Sequence, residues 1–316
     1  MAGRVAARAR AGRASARHAL SAALTSVVVV AADSGSLLPQ CVDRVLASSA
    51  AVEIVVVDNA SADRFPAEAA SAHASDARFR LIANGDNRGF GPACNQGAAA
   101  ASGDALLFLN PDCLIEPDTI AALRAIADAD RSIGIVGTDV QTPAGAPARG
   151  NRRRDPTLRR AFMAMSGLSR FESRWPALAG VEMPDAVAAT GVERVDAVSG
   201  ACMFVPRTVF DAVGGFDEAY FLHVEDLDLC RRIRDAGYAV AIANDVRVVH
   251  AQGSSSRHRP VFVAAHKRRG MWLYFTKYDR SAQNPLLRAI VWAGLWARFA
   301  LSATAALWPP SRNRER

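Results

Sequence analysis

Apolar residues along this chain gather into short unbroken runs separated by stretches of helical spacing. Val27-Val28-Val29-Val30, Ile54-Val55-Val56-Val57 and Leu106-Leu107-Phe108-Leu109 are continuous rather than alternating. That pattern belongs to strands buried on both faces, as in parallel sheets. Between the first two runs, Leu38, Cys41, Val42, Val45 and Leu46 recur at helical spacing and predict a helix over 37–48. Strand, helix, strand in that order implies parallel pairing through a right-handed crossover. A third strand over 79–83, an Ala-rich helix over 93–101, a helix over 117–129 and a strand over 133–136 complete a doubly wound, mostly parallel half.

The second half is less regular. Residues 142–160 read as a polar loop, with Pro143, Gly145, Pro147 and Gly150 and the arginines Arg149, Arg152, Arg153, Arg154, Arg159 and Arg160. These guanidinium groups either steer an anionic substrate or form a solvated basic loop. Residues 195–205 suggest a strand broken at Ser199-Gly200-Ala201, and 207–214 a helix. Leu222, Leu229, Ile233 and Ala236 offer an apolar stripe for a helix starting near Glu225 and ended by Gly237. Two short strands follow, over 239–243 and 246–249.

Length and charge add to this picture. The chain has 316 residues, half of them apolar, which supports one large folded domain with appendages. Of a net charge of +7, none resides in the body: residues 25–256 carry 21 Lys/Arg against 29 Asp/Glu. The basic excess lies at the ends, five arginines without an acid in 1–24 and twelve Lys/Arg against Asp279 and Glu315 in 257–316. The division expected is a basic disordered tail over 1–24, a single α/β domain over 25–280, and an amphipathic helix with a basic tail over 281–316. An acidic body argues against nucleic acid as partner, whereas basic ends suit anionic headgroups. Five dispersed cysteines without a C-x-x-C pair read as reduced, buried thiols of a cytoplasmic protein, not as a zinc site. Arg and Ala interleave at the N-terminus without an apolar core segment, so it does not resemble a secretory signal.

Polar residues then mark the strand ends. Pro111 cannot join a central ladder, so the hub strand 106–109 must stop before Asp112, which lies at the carboxyl edge where open α/β sheets bind ligands. A carboxylate there can reach a divalent cation on a diphosphate, and a surface turn is the plainer alternative. Asp58 ends the second strand in the same way, placed to meet a base or ribose or to close an Asx-turn. Asn87-Arg88-Gly89-Phe90-Gly91 precedes the Ala-rich helix, but Cys94 occupies the third glycine position of a dinucleotide fingerprint, so that motif fails. Glu225, Asp226 and Asp228 put three acids into a helix's first turn, more than capping needs. His250 follows a strand and precedes Gln252-Gly253-Ser254-Ser255-Ser256, a metal or phosphate candidate.

In this order, the segments resemble the family 2 inverting glycosyltransferases of GT-A fold, most of all the bacterial rhamnosyltransferase type. The matching pieces are Val55-Val56-Val57-Asp58-Asn59-Ala60-Ser61, Asn87-Arg88-Gly89-Phe90-Gly91 with Asn95 and Gly97, 107–112, Ser199-Gly200-Ala201-Cys202-Met203, Gly214-Gly215-Phe216-Asp217-Glu218, Phe221 with Glu225-Asp226-Leu227-Asp228-Leu229-Cys230 and Arg232, and His250 with Gly253 and Ser255. The resemblance implies that Asp33, Asp58, Asn59, Asn87, Gly89, Gly91, Asn95 and Asn110 serve the nucleotide sugar. Asp112 and His250 would hold Mg²⁺ or Mn²⁺, Asp226 would be the catalytic base, and Glu225 with Gly200 and Ala201 would form the acceptor side. Two departures stand out: Asn110-Pro111-Asp112 replaces Asp-x-Asp, and Ala31-Ala32-Asp33 replaces Thr-Tyr-Asn after the first strand.

The implied reaction moves a sugar, rhamnose-like by the resemblance, from a nucleoside diphosphate to a glycan or lipid-linked glycan for the cell envelope. Residues 285–308 are rich in Leu, Val, Ala and Trp, yet a spanning helix would bury Arg298 at a cost of about 2.5–3.5 kcal/mol. An interfacial helix avoids that cost, placing the protein peripherally at the cytoplasmic face of the inner membrane. Packing of the helix on the domain is the alternative. The rival functions are a nucleotidyltransferase and a non-catalytic membrane or nucleic-acid-binding protein.

Overall fold

The computed structural model describes residues 23–183, 190–251 and 259–307, with side chains to residue 300. The basic tail before residue 23, the glycine-serine loop after Ala251 with Gly253 and Ser255, and Trp308 lie outside the described residues. The first half follows the expected pattern: β1 (Thr25–Ala31), α1 (Leu37–Leu46), β2 (Val52–Asp58), α2 (Phe65–Ala72), β3 (Phe79–Ala83), α3 (Phe90–Ala100) and β4 (Ala105–Leu109). A short β5 (Cys113–Leu114), α4 (Thr119–Ala129) and β6 (Ile133–Gln141) follow, the last strand extending well past the predicted 133–136. Strand pairs β1 with β2, β1 with β4 and β2 with β3 are parallel. Every side chain of β1 and β4 is buried, which is why these strands read as runs without alternation.

The second half departs from its prediction at two places. Residues 142–151 form the expected loop, largely exposed, but the segment to 160 also contains β7 (Arg152–Arg153), and α5 (Leu158–Met165) begins within it. The suggested strand over 195–205 divides into β8 (Val192–Val195), β9 (Ala197–Val198) and β10 (Cys202–Pro206), because β9 leaves the main sheet to pair with β7. Beyond α6 (Arg207–Ala212) and α7 (Glu225–Asp235), the two short strands expected are one long strand, β11 (Ala239–His250), with a register shift between Ala243 and Arg247. The bulge at this shift supplies the polar interruption that split the strand in the sequence. Two helices close the described chain, α8 (Pro260–Tyr278) and α9 (Pro285–Leu307).

The main sheet has nine strands in the order β3-β2-β1-β4-β10-β6-β11-β5, with β8 also on β11. β10 is antiparallel to both β4 and β6, and β6 is parallel to β11. Six strands therefore point one way, and β5, β8 and β10 oppose them. Two cores sandwich this mostly parallel sheet. One face carries Val27 and Val29 against Leu38, Val42 and Val45 of α1 and Ile120 and Leu123 of α4. The other carries Val28 and Phe108 against Ala93 and Cys94 of α3, Phe210 of α6 and Leu229 and Ile233 of α7. Phe108 meets Phe216 edge-on at 4.9 Å between ring centroids, tying the turn before α7 to the hub strand.

Candidate active site

Strand register collects the polar residues. Ala31 pairs with Asp58 and Val29 with Leu109, so the turns after β1, β2 and β4 open at one carboxyl edge. Antiparallel β10 starts beside Leu109, which brings Ser199-Gly200-Ala201 to the same edge. His250, at the carboxyl end of β11, pairs with Cys113. Backbone hydrogen bonds lock the junction: Asn110 donates its N–H to the Ala201 carbonyl at 2.9 Å, and Ala251 donates to the Asp112 carbonyl at 3.0 Å.

At this junction Asp112 and His250 face each other. The Asp112 Oδ1 lies 3.0 Å from His250 Nε2, and the Asn110 amide stands 3.4 Å from the same nitrogen. Asp112 is buried, not an exposed turn residue, because β5 and β11 cover it. Ligand atoms of Asp112, Cys113 and His250 lie within 4.8 Å of one another. Cys113 does not suit a hard cation: burial first, and Asp112 second, push its thiol well above the ordinary range, and it donates to the Ala201 carbonyl at 3.5 Å. A carboxylate and an imidazole are left, donors that fit a divalent ion sharing its remaining positions with phosphate oxygens and water.

One residue along the same turn, the Gly200 N–H donates to Asp226 Oδ2 at 3.0 Å. Asp226 also receives Arg153 at 2.5 Å, with the two side chains only 13% and 14% exposed. Burial raises the Asp226 carboxyl, but the Arg153 charge and hydrogen bonds outweigh it and hold the group below its ordinary value. Its neighbour behaves oppositely. Burial, reinforced by the charge on Asp226, pushes Glu225 up to about 8, and its Oε2 is buried without a hydrogen-bond partner among the described residues. At neutral pH this pair holds one proton, on Glu225, and one negative charge, on Asp226.

The preceding backbone is strained to present that pair. His223 and Val224 both adopt positive φ, 65° and 77°, and a β-branched residue pays for this conformation. Close approach of α8 holds the turn: a Cβ on Gly270 would lie 2.8 Å from the His223 carbonyl. His223 is kept neutral, lowered to about 4 by burial and then by the Lys267 charge. Asp228 faces away from this edge and is fully buried among Arg232, Lys277 and Tyr278, each at 2.7 Å.

Other sequence-predicted residues take supporting positions. Asp58 Oδ1 accepts from the Ser61 N–H at 2.9 Å, an Asx-type turn, and Asp33 at φ 55° accepts from the Ala62 N–H at 2.7 Å. Asn59 is buried and fastens the next loop, donating to Asn87 Oδ1 at 2.9 Å and to the Gly89 carbonyl at 3.0 Å. Gly89, Gly91 and Asn95 turn toward the 216–221 segment. Asn95 donates to the Phe216 carbonyl at 2.9 Å and accepts from its N–H at 2.8 Å, while Gly91 packs on Phe216. His223 and Lys267 were not singled out in the sequence, and Arg153 entered only as one of six arginines in a basic loop, without its carboxylate partner. Adjacent strand residues point to opposite faces, so Arg152 reaches Glu193 while Arg153 reaches Asp226, a division no composition reveals.

Known proteins resemble this chain in sequence and in fold. The model for glycosyl transferase family 2 matches residues 26–174, and that for glycosyl transferase family group 2 matches 181–311. Over 233 residues the chain is 29% identical to the N-acetylglucosaminyl-diphospho-decaprenol L-rhamnosyltransferase of Mycobacterium tuberculosis, covering 70% of this chain and 74% of that protein. The low-salt glycan biosynthesis hexosyltransferase Agl10 of Haloferax volcanii is 25% identical over 65% of this chain and 60% of its own. Among solved structures, the mannosyltransferase PcManGT of Pyrobaculum calidifontis with GDP-Man and Mn²⁺ superposes with a TM-score of 0.54 at 19% identity, covering 90% of this chain and 76% of that one. GalNAc-T7 with UDP, GalNAc and Mn²⁺ gives 0.56 at 15% identity, covering 92% and 59%. A GT-A sheet with its acids on one carboxyl edge, matched by family 2 models on both halves, makes this chain a member of the family 2 glycosyltransferases, similar to the rhamnosyltransferases among them.

Proposed function

We propose that this glycosyltransferase transfers a sugar, rhamnose first among candidates, from a nucleoside diphosphate to a glycan or lipid-linked glycan, inverting the anomeric centre. The observation that carries this reading is the single edge shared by the Asp112–His250 pair and the Asp226–Glu225 pair, joined through Ala201 and Gly200. Displacement from the opposite face needs a base on the acceptor hydroxyl and positive charge on the departing diphosphate. Asp226 suits the first task, because Arg153 keeps it ionised and aimed beside Gly200. Glu225, protonated at neutral pH, is a hydrogen-bond donor and suits orientation of the acceptor. Asp112 and His250 would hold Mg²⁺ or Mn²⁺, which when bound supplies the positive charge. Asp33, Asp58 and the Asn59-supported loop line the nucleotide side. The M. tuberculosis relative is named for a diphospho-decaprenol acceptor, and a similar lipid-linked acceptor places α9 at the cytoplasmic face of a membrane.

Incubation with a panel of nucleoside-diphosphate sugars and a polyprenyl-diphosphate-linked amino sugar tests this reading. The expected result is release of nucleoside diphosphate and a product of inverted configuration by NMR. Asp226→Asn should lower turnover by about a hundredfold or more while donor affinity persists, since the amide keeps shape but takes no proton. Release of pyrophosphate instead would assign the chain to nucleotidyl transfer, and full turnover by Asp226→Asn would move the base elsewhere.

A further inference from the structure

A folded segment of this protein buries nothing. After β7 the chain forms α5, a 3₁₀ turn over Leu168–Phe171 and a second over Pro176–Leu178, and no residue in any of the three is buried. Its large apolar side chains point outward: Phe162 is 59% exposed, Met165 60% and Trp175 55%, with Leu168 and Phe171 beside them. Isolated exposed apolar residues need no explanation, but five within fourteen positions form a patch. The segment is nonetheless held in shape. Glu172 receives Arg154 at 3.3 Å and the Gly180 N–H at 2.9 Å, and Thr157 caps α5. Arg170 lies over the Phe171 ring at 4.6 Å, and Phe171 meets Trp175 edge-on at 6.2 Å.

Charge identifies what covers this surface. From residue 156 to 180 the chain carries Arg159, Arg160, Arg170 and Arg174 against Glu172 alone; Arg154 already neutralises that acid, and with Arg160 paired to Asp196 at 3.2 Å, Arg159, Arg170 and Arg174 carry the excess charge. Aromatic and aliphatic side chains rimmed by arginines match the boundary between acyl chains and anionic headgroups. The start of the segment is tied to the chain just before α9: Leu158 donates its N–H to Asp279 Oδ2 at 2.8 Å, and α9 itself leaves Leu286, Ile290 and Trp292 exposed. In the other direction the segment continues directly from Arg153, which holds Asp226. We infer that residues 158–178 are a membrane-docking surface for anionic lipid, inserting Phe162, Met165 and Trp175 next to the acceptor side of the active site. This extends the membrane contact proposed for α9 to a second segment, and it stands on the surface chemistry whichever sugar is transferred.

All five native cysteines are buried, so Ser166→Cys gives the full chain one exposed thiol for an environment-sensitive fluorophore. With vesicles of phosphatidylcholine and phosphatidylglycerol, the label should brighten and be quenched by nitroxide lipids, with about tenfold weaker binding to phosphatidylcholine alone. Phe162→Glu with Trp175→Glu should abolish the change while lowering the melting temperature only slightly, because both side chains are more than half exposed and Trp175 gives up one edge contact with Phe171. A label that stays aqueous while the protein sediments with vesicles would confine docking to α9 and overturn the assignment. A vesicle-independent change that grows with protein concentration would give the surface to a second copy, overturning it equally. Because the reporter reads residue 166, failure here is distinct from failure of the α9 contact or of the transfer reaction.

Discussion

Glu225 and Asp226 are adjacent in sequence, yet they occupy opposite electrostatic environments. Asp226 has a guanidinium and two backbone N–H groups, from Gly200 and Leu227, whereas Glu225 has a buried oxygen that nothing among the described residues satisfies. The consequence is a pH-dependent stability of definite sign. Because folding raises Glu225 from 4.5 to about 8, the folded state holds a proton that the unfolded chain has lost between these values. Stability from this group is complete below about pH 4.5 and is lost as pH rises through 8, at a slope of at most about 1.4 kcal/mol per pH unit. Glu225→Gln, neutral throughout, should therefore melt progressively higher than wild type as pH is raised from 6 to 9. Parallel melting curves across that range would remove the proton from Glu225. Three acids in a helical first turn are visible in the sequence, but their division of labour is not, since it depends on Arg153, seventy-three positions away.

Elements whose apolar pattern matches their burial were legible, and those that exchange partners were not. The valine runs of β1 and β2 and the spacing of α1 place themselves, because local pattern and tertiary environment agree. β7 and β9 consist of two residues each and exist only because Arg152 pairs with Val198 and Arg153 with Ala197, far apart in the chain, so no local pattern encodes them. Gly89 shows the same limit. Its position in a glycine-rich turn suggests approach of a ligand, but the approaching group is protein: a Cβ there would lie 2.6 Å from the Phe221 carbonyl, which accepts from the Phe90 N–H. With φ at 95° the position is also closed to side chains on backbone grounds. Gly89→Ala should destabilise the fold by about 1–3 kcal/mol, read as a fall in denaturation midpoint at unchanged m. Gly85→Ala, with nothing within 4 Å of its Cβ, is the control and should be neutral. Equal midpoints for the two would show that the α3 entry does not depend on that contact.

On the scale of the whole molecule, charge and apolar surface are segregated. Residues 25–256 are acidic, whereas the 257–316 end carries the basic excess, and a long helix in it leaves Leu286, Ile290 and Trp292 uncovered. Among the described residues no helix is long and apolar enough to cross a membrane. α9 instead packs along α8, with Arg288 over the Trp272 ring at 5.8 Å, so it is bound to the domain on one side and open on the other. That geometry reconciles the two alternatives read from the sequence, a helix packed on the domain and a helix lying at an interface. Truncation after Ser281 removes α9 but keeps α8, whose Lys277 pairs with buried Asp228 and whose Tyr278 donates to it, so the catalytic fold should survive. Sedimentation with anionic vesicles should then weaken by about tenfold, as apolar burial and the five arginines after Ser281 are lost together. High salt should weaken the intact protein less than truncation does, because screening removes the charge contribution and leaves the apolar one. Transfer to a short water-soluble acceptor should be unchanged by the truncation, whereas transfer to a lipid-linked acceptor in vesicles should fall with binding. Unchanged sedimentation of the truncated chain would assign membrane contact to the surface before Ser281 alone.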